Sequence, residues 1–340
     1  MITASVTPRQ LETRTWQQEL AEAITTPEEL AAALDLSPRD LLGARAAGRH
    51  FRLRVPRSFV ARMRPGDPAD PLLRQVLPAA AELADEAEYI DDPVRERGAL
   101  RARALLQKYR GRALLLTTST CAVHCRYCFR REFPYADHSG DAPRWSEALA
   151  EIRADTSLEE IILSGGDPLS LSNARLESLS RALAAIPHVR RIRVHTRQPV
   201  VLPSRVDGGL LQWLRTAVLP TVLVLHVNHP NELDAELAAA CGRLRATGAT
   251  LLNQSVLLAG INDDADVLAE LSQRLFDAGV LPYYLHALDR VRGAAHFAVP
   301  DERAQALAGR LAARLPGYLV PRLVREVAGA PAKVTLGPIF

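Results

Sequence analysis

The sequence is poor in lysine. Of its 42 lysines and arginines only Lys108 and Lys333 are lysine, and the other 40 are arginine. Guanidinium does not deprotonate to act as a nucleophile, so a retained lysine marks either a surface survivor or a place that needs a primary amine. Cysteine is scarce too. There are four, and Cys121, Cys125 and Cys128 fall within eight residues, which argues against a disulfide framework and for a metal site or redox chemistry. No apolar run approaches the ~18 residues of a membrane span. The opening MITASVTPRQ lacks the apolar stretch of a signal peptide, so the expected setting is the cytoplasm with no membrane partner. A strong charge of either sign is also missing: the net charge is +3, with acids interspersed among the arginines, and no basic stripe predicts a nucleic-acid partner. What is present is a hydrophobic content of 48% over 340 residues, enough for one large α/β domain with an added subdomain, or for two domains.

The first ~105 residues read as helical and irregular. Thr26-Pro27-Glu28-Glu29 and Ser37-Pro38-Arg39-Asp40 carry helix-start signals, and proline-punctuated segments such as RVPRSF and GDPADPLL follow. From about residue 112 the pattern changes to short β-branched runs at 112–120, 159–167, 190–197, 221–229, 250–258 and 281–289. Stretches with helical periodicity separate them, and the run starts lie 47, 31, 31, 29 and 31 residues apart. That spacing predicts βα units with parallel strands, six of which make a partial (β/α)6 barrel. Each run also ends in polar groups: the cysteines, Ser-Gly-Gly-Asp, His-Thr-Arg, His-Val-Asn-His, Asn-Gln-Ser and His-Ala-Leu-Asp. Barrel enzymes carry their sites at this end of the strands. The expected organisation is a helical subdomain over 1–105 wrapping the barrel, a core over 106–299, and a C-terminal segment over 300–340.

Three thiolates under-coordinate a tetrahedral metal. His124 is placed awkwardly as a fourth ligand, between Cys121 and Cys125, and Cys241 sits in a helical stretch as a buried apolar thiol. A four-iron cluster usually takes four cysteines, so three leave one iron open to another ligand. The C-x3-C-x2-C spacing after the first strand resembles the radical S-adenosylmethionine (SAM) enzymes, whose open iron chelates SAM. On the next strand, Gly165, Gly166 and Asp167 match the GGE-like motif of those enzymes, whose backbone meets SAM's ammonium group. Read by themselves, the two glycines allow close backbone approach of a ligand.

The likeness goes further. CRYCFRR, LSGGDPL, HTRQPVVLP, HVNHPNE, LLNQSVLL, PYYLHALD, GAAHF and GYLVP together resemble the lysine 2,3-aminomutase family, and most of all the short bacterial branch that serves elongation factor P. The resemblance runs from about residue 50 to Lys333. It implies a [4Fe-4S] cluster on Cys121, Cys125 and Cys128, SAM, and pyridoxal phosphate (PLP) bonded to Lys333. It places PLP contacts at Lys108, Tyr109 and Arg112, so both lysines fall at cofactor positions. It assigns the substrate carboxylate to Arg130, the ε-ammonium of lysine to Asp289 and Glu326, and polar SAM contacts to His226 and Gln254. Glu326 departs from the family's aspartate by one methylene. His229 and Asn231 read equally as helix caps, and His195, His286 and His296 have no assigned role. Catabolic members carry further C-terminal cysteines for an intersubunit zinc, and here no cysteine follows Cys241.

The implied activity is conversion of L-α-lysine to β-lysine by 2,3-amino migration. The implied partners are an electron donor such as flavodoxin or ferredoxin, and elongation factor P with its ligase. The alternatives are a free-lysine aminomutase of catabolism or osmolyte synthesis and, from another class, a zinc-bearing RNA-binding module.

Overall fold

A computed structural model describes residues 14–135 and 145–339, without the side chain of Asp40. Near the N-terminus, Thr15 and Gln18 form a capping box at the head of helix Trp16–Ala21. Thr26 caps helix Pro27–Ala33 by accepting from Glu29 N at 3.2 Å, as the Thr-Pro-Glu-Glu signal predicts. The similar Ser37-Pro38 signal yields only a 3-10 turn, Pro38–Leu41. This region is no free-standing unit. Phe59, Leu72, Leu73 and Val76 share one apolar cluster with Ala122 and Val123 of the cysteine loop and with Val201 and Leu202.

Ten strands form one sheet in chain order: β1 Leu100–Ala102, β2 Leu105–Tyr109, β3 Arg112–Thr118, β4 Glu160–Gly165, β5 Arg191–Thr196, β6 Thr221–Leu225, β7 Thr250–Val256, β8 Leu281–His286, β9 Arg322–Arg325 and β10 Val334–Thr335. Neighbours from β3 to β9 are parallel. β1, β2 and β10 add antiparallel edges. The six crossovers each carry one main helix: α1 Trp145–Ala154, α2 Asn173–Ala184, α3 Gly208–Thr216, α4 Ala235–Arg245, α5 Ala265–Asp277 and α6 Asp301–Arg314. Short polar side chains start four of them: Ser172, Asp207, Asp234 and Asp264 each accept from a backbone N–H of the first turn.

All six predicted strands are present, and a seventh parallel strand extends the barrel wall. β9 reads RLVR, too short and too polar to register as a buried strand, yet Leu323 pairs with Leu285 and is buried. The junction at 105/106 falls between β1 and β3 in a continuous meander. The junction at 299/300 cuts the βα alternation before its last unit, α6–β9.

Side chains alternate along the strands, as the pleat requires. Ile161, Leu163, Ile192, Val194, Leu223 and Leu225 pack outward against helix residues such as Leu176, Leu179, Leu210 and Leu237. The intervening Ile162, Ser164, Arg193 and His195 line an interior cavity of about 570 Å³. Residues of every strand from β2 to β9 except β6 line that one cavity, and His226 just past the end of β6 completes the wall, so the sheet curls around it as an open barrel.

Candidate active site

The cysteine loop leaves the C-terminal end of β3. Cys121, Cys125 and Cys128 are half-buried free thiols on the cavity wall. Burial, followed by the neighbouring Cys125, pushes the Cys128 thiol up to about 11. Burial and then Asp167 push Cys121 up as well. Among the described residues no three His, Cys, Asp or Glu side chains converge as ligands of a single ion. Thiols spaced around a polynuclear cluster need not converge on one point. The His124 ring is engaged away from the thiols: its Nδ1 lies 2.8 Å from Arg52 O and it stacks on Phe51 at 5.3 Å. Cys241 is fully buried on α4 in the apolar core, as expected. The loop is pinned from beneath by Glu82, which accepts from Arg126 Nε at 2.8 Å, Arg126 Nη2 at 2.5 Å and Arg131 Nη2 at 2.9 Å.

Gly165 and Gly166 are required by the protein's own backbone. Gly165 has φ 121°, and a Cβ there would lie 2.5 Å from Thr118 O. A Cβ on Gly166 would lie 2.4 Å from Thr120 O. The pair therefore lets the ends of β3 and β4 touch, so the double glycine is explained without a ligand. Asp167 is buried and its carboxylate is fully committed. It accepts from Thr196 Oγ1 at 2.7 Å, Arg197 N at 2.7 Å, Gln198 N at 2.9 Å and Leu169 N at 3.0 Å. Burial raises its pKa against the pull of these four bonds. Asp167 thus ties the β4 and β5 loops beside the cysteines.

Across the cavity, five charges alternate in sign. Arg130 is buried, and its Nε and Nη2 donate to the two oxygens of Glu96, each at 2.7 Å. Its Nη1 reaches Ser164 Oγ at 2.8 Å. Glu96 Oε1 lies 3.8 Å from Lys108 Nζ, which lies 3.4 Å from Glu326 Oε1. Glu326 Oε2 accepts from Lys333 Nζ at 2.6 Å, and its Oε1 accepts from Tyr109 OH at 2.7 Å. Burial pushes the Glu326 carboxyl up, but Lys333 and Lys108 outweigh it and hold the group at about 2. Burial and then Glu326 push the Tyr109 phenol up. Both rare lysines therefore meet on one carboxylate, although 225 residues separate them in the chain.

Several lining groups are without a hydrogen bond or ion pair among the described residues. Arg112 only stacks over Tyr109, at 4.6 Å from the ring centroid. Arg322 only stacks over Tyr283 and Tyr284, at 5.4 and 5.2 Å. The Asp289 carboxyl has no partner, and burial pushes it up to about 7 against the pull of Lys333. His195 Nε2 is buried with no partner, and burial, then Arg193, keeps that imidazole neutral. His226 Nε2 and Gln254 Nε2 pair at 2.7 Å, and burial, then Arg197, pushes His226 down to about 3. His286 also lines the cavity. His229 has the capping role read for it, with Nδ1 accepting from Asn231 N at 3.1 Å. His296 packs on Phe297 and does not line the cavity.

All fifteen residues to which the resemblance gives a cluster, cofactor or substrate role line this one cavity. Sequence reasoning missed Glu96 and Arg322, one acid and one arginine among many, with no local motif to mark them, and it gave Ser164 of the Ser-Gly-Gly-Asp strand end no role of its own. An orphaned imidazole, two anion-free guanidiniums, an amine and an unpaired carboxylate form a donor set suited to a phosphorylated cofactor and a zwitterionic substrate.

A family model described as a 4Fe-4S single cluster domain matches residues 110–195. The L-lysine 2,3-aminomutase of Escherichia coli K12 is 48% identical over 322 residues, covering 94% of both chains. That of Haemophilus influenzae is 45% identical over 322 residues, 95% of both. That of Clostridium subterminale is 35% identical over 326 residues, 96% of this chain and 78% of the other. With such identity across nearly its whole length, and three thiols set at the mouth of a parallel barrel, the chain belongs to the L-lysine 2,3-aminomutase family of radical SAM isomerases.

Proposed function

We propose that the enzyme supplies β-lysine for the modification of elongation factor P, using PLP on Lys333 together with a [4Fe-4S] cluster on Cys121, Cys125 and Cys128. The observation that carries this reading is the meeting of Lys333 and Lys108 on Glu326, in the same cavity as the three thiols. The matches favour the short branch, since the chain spans 94% of the Escherichia coli relative but 78% of the Clostridium one. Family membership takes the place of the zinc-bearing RNA-binding alternative, and free-lysine catabolism stays as the competing use of the product.

When bound, the cluster and SAM supply a carbon radical and PLP supplies a π system that carries the nitrogen from C2 to C3. The chain's own work is positional. Arg112, Lys108 and Tyr109 would hold the phosphate. Arg130, whose Nε and Nη2 are held by Glu96, would turn its Nη1 edge from Ser164 Oγ and Gly165 O to the substrate carboxylate. Asp289, ionised once pH exceeds about 7 or a cation approaches, receives the ε-ammonium. Glu326 would be the second acceptor for that ammonium. His226 and Gln254, neutral and mutually bonded, offer polar edges to SAM. Gly165, Gly166 and Asp167 shape the SAM side by closing the β3–β4 contact.

The setting we propose is the cytoplasm, with flavodoxin or ferredoxin as electron donor; among the described residues no helix is long and apolar enough to cross a membrane. Lys333→Ala, purified anaerobically and given PLP, is expected to lose the visible absorbance of lysine-bound PLP and all turnover. Retained absorbance would refute the assignment. Deleting the gene is expected to leave elongation factor P without the mass of its β-lysyl group. Unchanged modification would point to the catabolic use.

A further inference from the structure

Arg197, one residue past β5, is buried on all sides, yet its guanidinium touches a cluster cysteine. Nη1 donates to Cys125 Sγ at 2.8 Å and to Tyr127 OH at 2.6 Å. Nη2 donates to Gln75 Oε1 at 2.6 Å and to Glu232 Oε2 at 3.1 Å. Neighbours hold this frame in turn. Asn228 Nδ2 donates to Tyr127 OH at 2.6 Å and to Gln75 Oε1 at 2.9 Å. Glu232 Oε1 accepts from Asn228 N at 2.9 Å and from Gln75 Nε2 at 3.2 Å. The guanidinium also lies 5.5 Å from the Phe59 ring and 5.7 Å from that of Tyr127. Four separate segments converge to place one cation.

A buried ion pair of this kind gives little net stability, because desolvation offsets the attraction. Packing alone therefore does not account for it. The surrounding arginines differ from Arg197. Arg126 and Arg131 turn their donors to Glu82, and Arg130 turns its fork to Glu96. Among the described residues, Arg197 is the side chain whose N–H reaches a cysteine of the cluster motif. Glu232 sits at the opposite end of the guanidinium, so the positive pole points at sulfur.

We propose that Arg197 is a positioning residue for the cluster: it orients the Cys125 thiolate and raises the cluster's reduction potential. Hydrogen bonds to ligand sulfurs and nearby positive charge stabilise the extra electron of the reduced state. Gln75 anchors the frame, so the N-terminal segment that covers the loop takes part in setting electron entry. This rests on the cluster assignment above.

The test is a redox titration of the anaerobically reconstituted holoenzyme, followed by the EPR signal of the reduced cluster. Arg197→Lys keeps the charge opposite Glu232 but loses the planar donor. R197Q/E232Q removes both charges and leaves the net charge unchanged. Midpoint potentials are expected to fall in the order wild type, R197K, double variant. For the double variant the reduced-to-oxidised ratio at a fixed potential should drop about tenfold, equal to ~59 mV for one electron. Full iron content with wild-type potentials in R197K would overturn the proposal while leaving the cluster assignment intact. Absence of iron from the wild-type protein would sink that assignment itself. If only the double variant loses its cluster, R197K decides.

Discussion

The two ends of the cavity use charge in opposite ways. Around the cysteines every ion is already spent. Glu82 satisfies two arginines, Asp167 accepts four hydrogen bonds, and Arg197 is boxed between Glu232, Gln75 and Tyr127. At the other end Glu326 holds Lys333 Nζ at 2.6 Å and Tyr109 OH at 2.7 Å, but Lys108 stands 3.4 and 3.8 Å from its two carboxylates, while the side chains of Arg112, Arg322 and Asp289 have no hydrogen bond or ion pair among the described residues. The first arrangement holds an inorganic group and its ligands at fixed geometry. The second keeps donors and acceptors in reserve for molecules that arrive and leave. The contrast teaches which carboxylates are scaffold and which are site, a distinction that residue type does not make.

Four measurements sharpen or break this contrast. The largest effect is expected at the cysteine end. Glu82→Ala strips Arg126 and Arg131 of their shared partner, and stranding buried charge costs about 3–5 kcal/mol. Urea unfolding of the cluster-free protein should show that loss, and iron content should fall with it. A cost under about 1 kcal/mol, the range of surface pairs, would mean that the loop does not depend on this anchor.

A smaller effect is expected at the other end. Asp289→Asn keeps shape but removes the charge offered to the ammonium, worth ~1.5–3 kcal/mol for a charged hydrogen bond. That corresponds to a drop of about 10- to 150-fold in kcat/KM for lysine, with the unfolding free energy little changed or higher. Loss of stability in place of kcat/KM would move Asp289 to the scaffold side. Glu96→Gln, which weakens the hold on Arg130, should raise the KM for lysine more than it lowers kcat.

The smallest effect is a pH dependence of the cofactor-free protein. The Asp289 carboxyl sits at about 7, above its unfolded value of ~3.9, so the native state holds a proton that the unfolded chain has lost. Its contribution to stability is therefore fully present below pH ~4 and lost as pH rises toward 7. Glu326, held at about 2, contributes in the opposite sense, gaining between pH 2 and the ordinary carboxylate range. Buried neutral histidines such as His195, His226 and His286 make stability rise over pH 4.5 to 7, so the Asp289 contribution is read by difference: the wild-type denaturant midpoint should rise less steeply with pH than that of D289N. An unchanged slope in D289N would show that the carboxyl is ionised throughout.

Much of this was readable in one dimension. The run spacing carried the parallel strands, because a crossover helix plus loops has a narrow range of lengths. The cysteine spacing and the scarcity of lysine marked the two ends of the site, since each stood out against an otherwise monotonous use of thiols and cations. What stayed hidden has a common cause. β9 is four residues with arginine at both ends, and only its pairing with β8 makes it a strand. Glu96 and Arg322 are ordinary members of large residue classes, with nothing local to separate them from surface ions, and Arg197, although it ends the His-Thr-Arg run, carries no local sign that it is aimed at Cys125. The glycines of Ser164-Gly165-Gly166-Asp167 were visible, but their reason, contact with Thr118 O and Thr120 O, exists only once β4 lies beside β3. The sequence by itself determined which chemical groups this protein has and the period at which the chain returns to the sheet, because both are properties of residue identity and local geometry. The tertiary structure alone decided which charges are spent and which are kept free, because neutralisation depends on distances between residues tens to hundreds of positions apart.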